Sequence, residues 1–480
     1  MSSTSYSNEG STVAPASGSD KQESRPSSLL PLTPGQPPVA VSGKGIYITL
    51  EDGREFIDAA GGAAVACIGD GHPIVREAVK EQVDKLAYVY NMQLSNEPAE
   101  ELASVLLESG KGAFELCGFA AGGSEAMESA IKLARQYWFE QKQPQRRHLI
   151  SRHMSYHGNT VTALSLSGRP SWRAPYEEIL QHKNIHKVSP AYAKRFQRTD
   201  ETEEQYVERL RQELEDKFLE LGPDTVIGFV AETVVGASGV IPAPKGYFKA
   251  IKSVCRKYGA LFILDEVMCG MGRMGVTHAW ESFGDNEPPD IQVIGKSLGG
   301  GYACIAAVLM SKQVADAIRD KNGFWKHGHT YQAHPISCAA AVAVQKVIAA
   351  ENLLENGRQT GEFLAQLLRE RLLSPDALAR PFTSDIRGGG SLWIVEFDFT
   401  GPEGERADLE GQLFARLVQA RCFEKGLVVS VSISGGNAEG DKRDEIIFAP
   451  AYNITRKEVE KVVDIFVESV EEVLREYSCL

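Results

Sequence analysis

The sequence lacks the marks of several large protein classes. No apolar run reaches membrane-spanning length, and the N-terminus has no apolar core of signal-peptide size. No C-x-x-C pair and no cluster of cysteine with histidine occurs. The eight cysteines (Cys67, Cys117, Cys255, Cys269, Cys304, Cys338, Cys422 and Cys479) lie far apart, mostly in apolar or Gly/Ala-rich runs. They read as buried, reduced thiols of a cytoplasmic protein and offer no metal site. There is no basic excess either. The formal net charge is -13 and the pI is about 5.4. Such a surface repels phosphate backbones and anionic lipid, so neither nucleic acid nor membrane is expected as a partner. The C-terminal Ser478-Cys479-Leu480 lacks the basic middle residue of a peroxisomal S-K-L tail.

What is present is an ordinary globular composition, 43% hydrophobic and 24% charged over 480 residues. That supports a large core, divided among more than one domain. Residues 1–38 hold ten Ser and six Pro and almost nothing large and apolar before Leu29. They cannot offset their ordering entropy and are expected to be disordered. A hairpin turning at Asp52-Gly53 follows, then a small-residue loop (59–66) and a helix near 73–87. From about 115 to 310, short apolar strands alternate with amphipathic helices, as at 225–231, 247–258, 261–264 and 291–294. That rhythm predicts a mostly parallel sheet covered on both faces. The charge-rich stretch 200–216 reads as a solvated surface helix. Beyond 340 come helices at 339–350 and 361–373, strands at 392–397 and 446–448, and a helix at 458–474. The expected division is a segment 39–110 packing with the small domain, a large domain 111–335, and a small α+β domain 336–480.

Three motifs carry chemistry. Phe119-Ala-Ala-Gly-Gly-Ser-Glu-Ala126 is a glycine-rich turn opening a helix. Its unpaired N–H groups and the helix dipole suit an anion, so Gly123 and Ser124 form a candidate phosphate cradle; a tight turn with Ser124 as cap is the alternative. Leu261-Phe-Ile-Leu264 runs into Asp265, placing a carboxylate at a strand end, where parallel sheets collect ligands; a structural N-cap is the alternative. Asp290-Ile-Gln-Val-Ile-Gly295 leads into Lys296 and a glycine run. Desolvation there would lower the lysine's pKa and make it nucleophilic toward an aldehyde; alone, it could equally be an exposed loop lysine. Together the three are what pyridoxal 5'-phosphate (PLP) needs. Its phosphate wants helix N–H groups, its pyridine nitrogen a carboxylate, and its aldehyde a lysine.

With those residues in place, the sequence resembles the class III (ω-) aminotransferases, PLP enzymes of fold type I, over nearly all of 39–475. The resemblance rests on Ala231-Glu-Thr-Val-Val-Gly-Ala-Ser-Gly-Val-Ile-Pro242, Leu264-Asp-Glu-Val-Met-Cys-Gly-Met-Gly-Arg273 and Gly295-Lys-Ser-Leu-Gly-Gly-Gly301, in that order. It implies an α/β fold: a mostly parallel seven-stranded sheet between helices in the large domain, and a smaller α+β C-terminal domain. Lys296 would form the Schiff base with PLP. Asp265 would pair with the pyridine nitrogen and Val267 pack on the ring. Tyr156 would stack on the opposite face, with His157 beside it among the cofactor contacts. Gly123 and Ser124 match the phosphate loop, and Glu232 matches an acid supporting the cofactor. Thr330 matches a residue reaching the phosphate from a neighbouring subunit. The implied assembly is a homodimer with shared active sites, or a tetramer of such dimers.

The resemblance implies ping-pong transamination from an amine or ω-amino acid donor to a keto acid such as pyruvate. The alternative outcomes on the same fold are an aminomutase, a racemase, or a decarboxylase or lyase. Departures from the family pattern bear on substrate. Members acting on ornithine, acetylornithine or 4-aminobutyrate usually carry a glutamate where this chain has Ala237, which points to the ω-amino acid and amine:pyruvate branch. The run Gly426-Leu-Val-Val-Ser-Val431 lacks that branch's carboxylate-clamping arginine, leaving Arg443 and Arg387 as substitutes. Tyr88 and Tyr90 are candidate substrate-pocket residues by the same resemblance.

Overall fold

The computed structural model describes residues 36–283, 287–402, 404, 409, 411–432 and 443–477. The expected disordered tail, apart from 36–38, lies outside the described residues, as do Cys479 and the S-C-L terminus.

The central sheet has seven strands. Their order is Leu116–Ala120, Ala306–Met310, Ile291–Ile294, Leu261–Glu266, Val226–Glu232, His148–Arg152 and Ile185–Val188. All neighbours pair in parallel except Ala306–Met310, which runs antiparallel to both of its partners. The strands Val226–Glu232 and Leu261–Glu266 are buried at every position. That is why they read as unbroken apolar runs: helices cover both faces. One cover is the helix Gly123–Glu140, whose Ala126, Ala130, Leu133, Ala134 and Tyr137 bury against Val293 and Val308. The other face packs Tyr206, Leu210, Leu214 and Phe218 of the helix Glu203–Leu221. The stretch read as a solvated helix therefore keeps its charges outward, Glu215 apart, and buries a stripe worth roughly 1.5–3 kcal/mol per large side chain.

The N-terminal hairpin forms where expected, Tyr47–Leu50 against Glu55–Asp58. Its inner strand pairs in parallel with Leu427–Val428, so the two ends of the chain share a four-stranded sheet. A second four-stranded sheet, antiparallel throughout, orders Thr383–Gly389, Leu392–Asp398, Arg443–Phe448 and Ser430–Ser432. The helices Leu353–Leu372 and Arg456–Glu476 flank it, the latter opened by a capping box of Thr455 and Glu458. The first of these begins two turns before the expected 361. Asn352 at φ +52 starts it, and Gly357, which breaks the sequence pattern, packs against Tyr452.

Between the central sheet and this antiparallel sheet lies a buried ion network. Arg387 donates to Asp385, Glu396 and Glu445 and to the Gly239 carbonyl. Arg195 and Tyr192 reach Glu396 from the other side. Burial would raise Glu396, but Arg387 and Arg195 overcome it and hold it at about 2. Glu445 is pushed the other way by burial, to about 8, against the pull of Arg387. Removing the arginine strands these buried carboxylates. Arg387→Ala is expected to lose about 3–5 kcal/mol of stability; urea unfolding checks this, and a loss below about 1 kcal/mol would contradict it. Arg387 is thereby committed to protein carboxylates, which corrects its assignment as a substitute substrate clamp.

Among the described residues, no single helix is long and apolar enough to cross a membrane. The described cysteines are all free, and most are buried; Cys304 is exposed, against expectation.

Candidate active site

The site forms where adjacent parallel strands end together. Register places Asp265 beside both Glu232 and Val293. Lys296 follows two residues after the end of the Ile291–Ile294 strand. Three chemistry-bearing residues therefore emerge at the carboxyl edge of neighbouring strands. A cavity of about 360 Å³ opens there, lined by Lys296, Asp265, Glu232, Tyr156, His157 and Val267, within the range of small-ligand pockets. Gly123 and Ser124 line it as well.

Lys296 opens a short 3-10 turn with φ +44, a left-handed conformation uncommon outside glycine. The turn is pinned from behind. Tyr452 Oη donates to Ser297 Oγ, and Gln345 Nε2 to the carbonyls of Ser297 and Leu298. Cys67 Sγ meets the Ser297 carbonyl as well. The lysine borders the cavity but is otherwise closely surrounded. Desolvation lowers its pKa to about 8, although Asp265 and Glu232 pull it back up. In the protein without cofactor, acylation of Lys296 by a limiting amine reagent is expected to follow a midpoint near 8. A midpoint at the ordinary 10.5 would contradict the burial. The sign for stability follows. The folded value lies below the unfolded one, so between about 8 and 10.5 the unfolded chain holds more protons. This group's contribution to stability then rises with pH.

Asp265 is held by two contacts. Oδ1 accepts from Val267 N at 3.0 Å, and Oδ2 lies 2.8 Å from His157 Nδ1. A carboxylate only accepts, so Nδ1 carries the proton here. His157 Nε2 is buried and has no hydrogen-bond partner among the described residues. Glu232 accepts from Tyr156 N at 2.9 Å and Gly236 N at 2.8 Å, while burial pushes its pKa up. It thus fixes the backbone carrying Tyr156 to the loop after its own strand. Behind Asp265 sits Glu266, which accepts from Thr233, Gln292 and the N–H groups of Ala279 and Trp280. Desolvation raises it to about 7.

In the same cavity, Gly122 caps the helix Gly123–Glu140 without a side chain, leaving first-turn N–H groups to a ligand. A Cβ on Gly123 would stand 2.6 Å from Val267 Cγ1, so only glycine fits. Ser124 Oγ accepts from Asn159 N at 3.0 Å.

Other sequence candidates lie elsewhere. Tyr88, Tyr90 and Thr330 are exposed and do not line this chain's cavity. Tyr88 Oη donates to the Thr330 carbonyl at 2.9 Å, which ties the two segments together. Arg443 opens a strand, but its side chain lies outside the described residues. Sequence reading missed Ala63, Gly158, Trp172 and Met268, all in the cavity wall. Only Trp172 had a visible signal, as an aromatic in a polar stretch.

The residues fit PLP. A capless helix start forced to glycine, a buried carboxylate and a desolvated lysine face one cavity of suitable size. Fold and site together define a PLP enzyme of fold type I. Comparison then fixes the family: residues 34–470 match the model of aminotransferase class-III, and the chain belongs to that family. It is 42% identical to an aminotransferase of Gibberella zeae, over 92% of this chain and 85% of that one. It is 32% identical to the chloroplastic gamma aminobutyrate transaminase 3 of Solanum lycopersicum, over 91% and 82% respectively. Its fold is similar to the ω-transaminase of Pseudomonas jessenii in complex with PMP, with TM-score 0.82, 30% identity and coverage of 92% and 94%. The protein is a PLP-dependent aminotransferase.

Proposed function

We propose that the amino donor is an amine or an ω-amino acid and the acceptor a small keto acid such as pyruvate, turned over alternately at the Lys296 cavity. The observation carrying this is the cavity lining, where Ala237 and Ala63 contribute small uncharged side chains and the carboxylates, Asp265 and Glu232, are each already held by hydrogen bonds within the protein. PLP, when bound, supplies an electron-withdrawing ring that accommodates charge from the donor carbon. Lys296 would hold the cofactor through its aldehyde, and its Nζ, once freed, would move the proton at the donor carbon as general base. Asp265, buttressed by His157 and Val267 N, would pair with the pyridine nitrogen. Tyr156 and Val267 would hold the ring, and the Gly123-Ser124 turn would hold the phosphate. Thr330 completes the phosphate site of a partner subunit in a homodimer, and the protein works in the cytoplasm.

The test is a single-turnover reaction with a panel of amines and ω-amino acids. Keto or aldehyde product equal to the enzyme present, followed by full return of the visible absorbance on adding pyruvate, supports transamination. Carbon dioxide or an isomerised amine, with no pyruvate requirement, would favour the decarboxylase or aminomutase outcome instead.

A further inference from the structure

We propose that Arg273, acting through Tyr452, is a positioning residue for Lys296: it holds the turn that presents the amine and sets a positive charge behind it. The proposal rests on Lys296 being the amine that bonds PLP. Arg273 is fully buried. Its hydrogen bonds run from Nη1 alone, to the carbonyls of Ala449 and Pro450 and to Ser391 Oγ. All three acceptors are neutral, and Nε and Nη2 have no partner among the described residues. Burying a cation without an anion is costly. A fold that needed only volume here would gain from an apolar residue of the same size.

The guanidinium has one further contact, 4.8 Å from the ring centroid of Tyr452. Arg273 thus grips both the ring of Tyr452 and the carbonyls two and three residues before it. Gly272, at φ +103, packs so closely that a Cβ there would stand 2.8 Å from the same ring. Tyr452 Oη lies 3.0 Å from the Met271 carbonyl and 3.1 Å from Ser297 Oγ. Ring and hydroxyl are both fixed, so Ser297 meets a rigid partner. Lys296 stands beside it at φ +44, a conformation that persists only where its surroundings impose it. The charge acts on the same amine. Desolvation is the main force favouring neutral Lys296. Asp265, Glu232 and Cys269 act against it, and Arg273 is the charged group that acts with it. Cys67 and Tyr452, also packed on this turn, add no charge, because burial pushes the Cys67 thiol up to about 11 and the Tyr452 hydroxyl higher still.

The experiment follows the visible band of the full-length, PLP-loaded protein, whose midpoint pH reads the proton on the Lys296 nitrogen. Arg273→Met keeps volume and removes charge. Its midpoint is expected to rise by about one pH unit, roughly a tenfold gain in proton affinity. Arg273→Lys restores the charge and should return most of that shift. Tyr452→Phe removes only the hydroxyl. Its midpoint should stay, while the rate at which added PLP develops the band should fall about fivefold, the worth of one hydrogen bond. A merely structural arginine would lower thermal stability and leave the midpoint in place, so an unmoved midpoint in Arg273→Met overturns the proposal. If that variant does not fold, Tyr452→Phe decides, and uptake of PLP at the wild-type rate overturns it. Borohydride fixing PLP to another lysine would remove Lys296 as the cofactor's amine. The acylation midpoint of Lys296 without cofactor, expected to rise above about 8 in Arg273→Met, would still decide the role of Arg273.

Discussion

Lys296→Ala is expected to lower turnover by more than about a thousandfold, the largest effect of any single change in the chain. The amine has two tasks that no neighbour can take over. It must bond an aldehyde, which requires an unprotonated nitrogen. It must later accept a proton from the donor carbon, which requires a pKa near working pH. Both are met because desolvation brings the group to about 8. Lys296→Arg separates charge from chemistry: it keeps a cation at the strand end but cannot deprotonate, and it should be as inactive as the alanine variant. A second readout does not depend on turnover. Borohydride treatment of the PLP-loaded wild type should attach the cofactor to the peptide containing Lys296, and the alanine variant should show no adduct there. Folding is not at risk, because the removed amine is one that burial disfavours. Turnover of Lys296→Ala near the wild-type rate would refute the assignment.

The central sheet was legible because its strands are buried on both faces and read as apolar blocks, Leu261–Glu266 above all. Lys296 and Asp265 were legible for a related reason: strand ends in parallel sheets are where ligands collect, so charged residues there stand out; Glu232 was reached only through the family resemblance. What could not be read were contacts between distant parts of the chain. Cys67, Gln345 and Tyr452 converge on Ser297 behind the lysine, and nothing local to any of them announces it. Arg387 looked available for a substrate because sequence shows a cation but not its partners. Asp385, Glu396 and Glu445 occupy it, two of them from neighbouring strands of the same sheet. Arg273 closed a recognisable motif with no role attached, for the converse reason. Its meaning lies in Tyr452 and the Ala449 carbonyl, and the second is 176 residues away.

Asp265→Asn should lower turnover by about a hundredfold or more, and it isolates charge from shape. Asparagine is nearly isosteric and can keep the acceptor for Val267 N, so the strand end stays in place. What disappears is the negative charge that would pair with the pyridine nitrogen, at a buried strand end where electrostatic preorganisation has its greatest effect. The change also has a signature in the protein without cofactor. Asp265 is the largest of the attractions that raise Lys296 against desolvation. Without it, desolvation acts with less opposition, and the acylation midpoint of Lys296 should fall below about 8. A merely structural aspartate would leave that midpoint where it is. Asp265→Glu restores the charge at a displaced position and should recover part of the loss. Activity of Asp265→Asn within about threefold of wild type would remove Asp265 from the mechanism, because a lost charge contact in a desolvated site costs far more than that. A midpoint that stays near 8 would show that the lysine answers to Glu232 rather than to Asp265, and the proposed pairing of strand ends would have to be redrawn around the Glu232 strand.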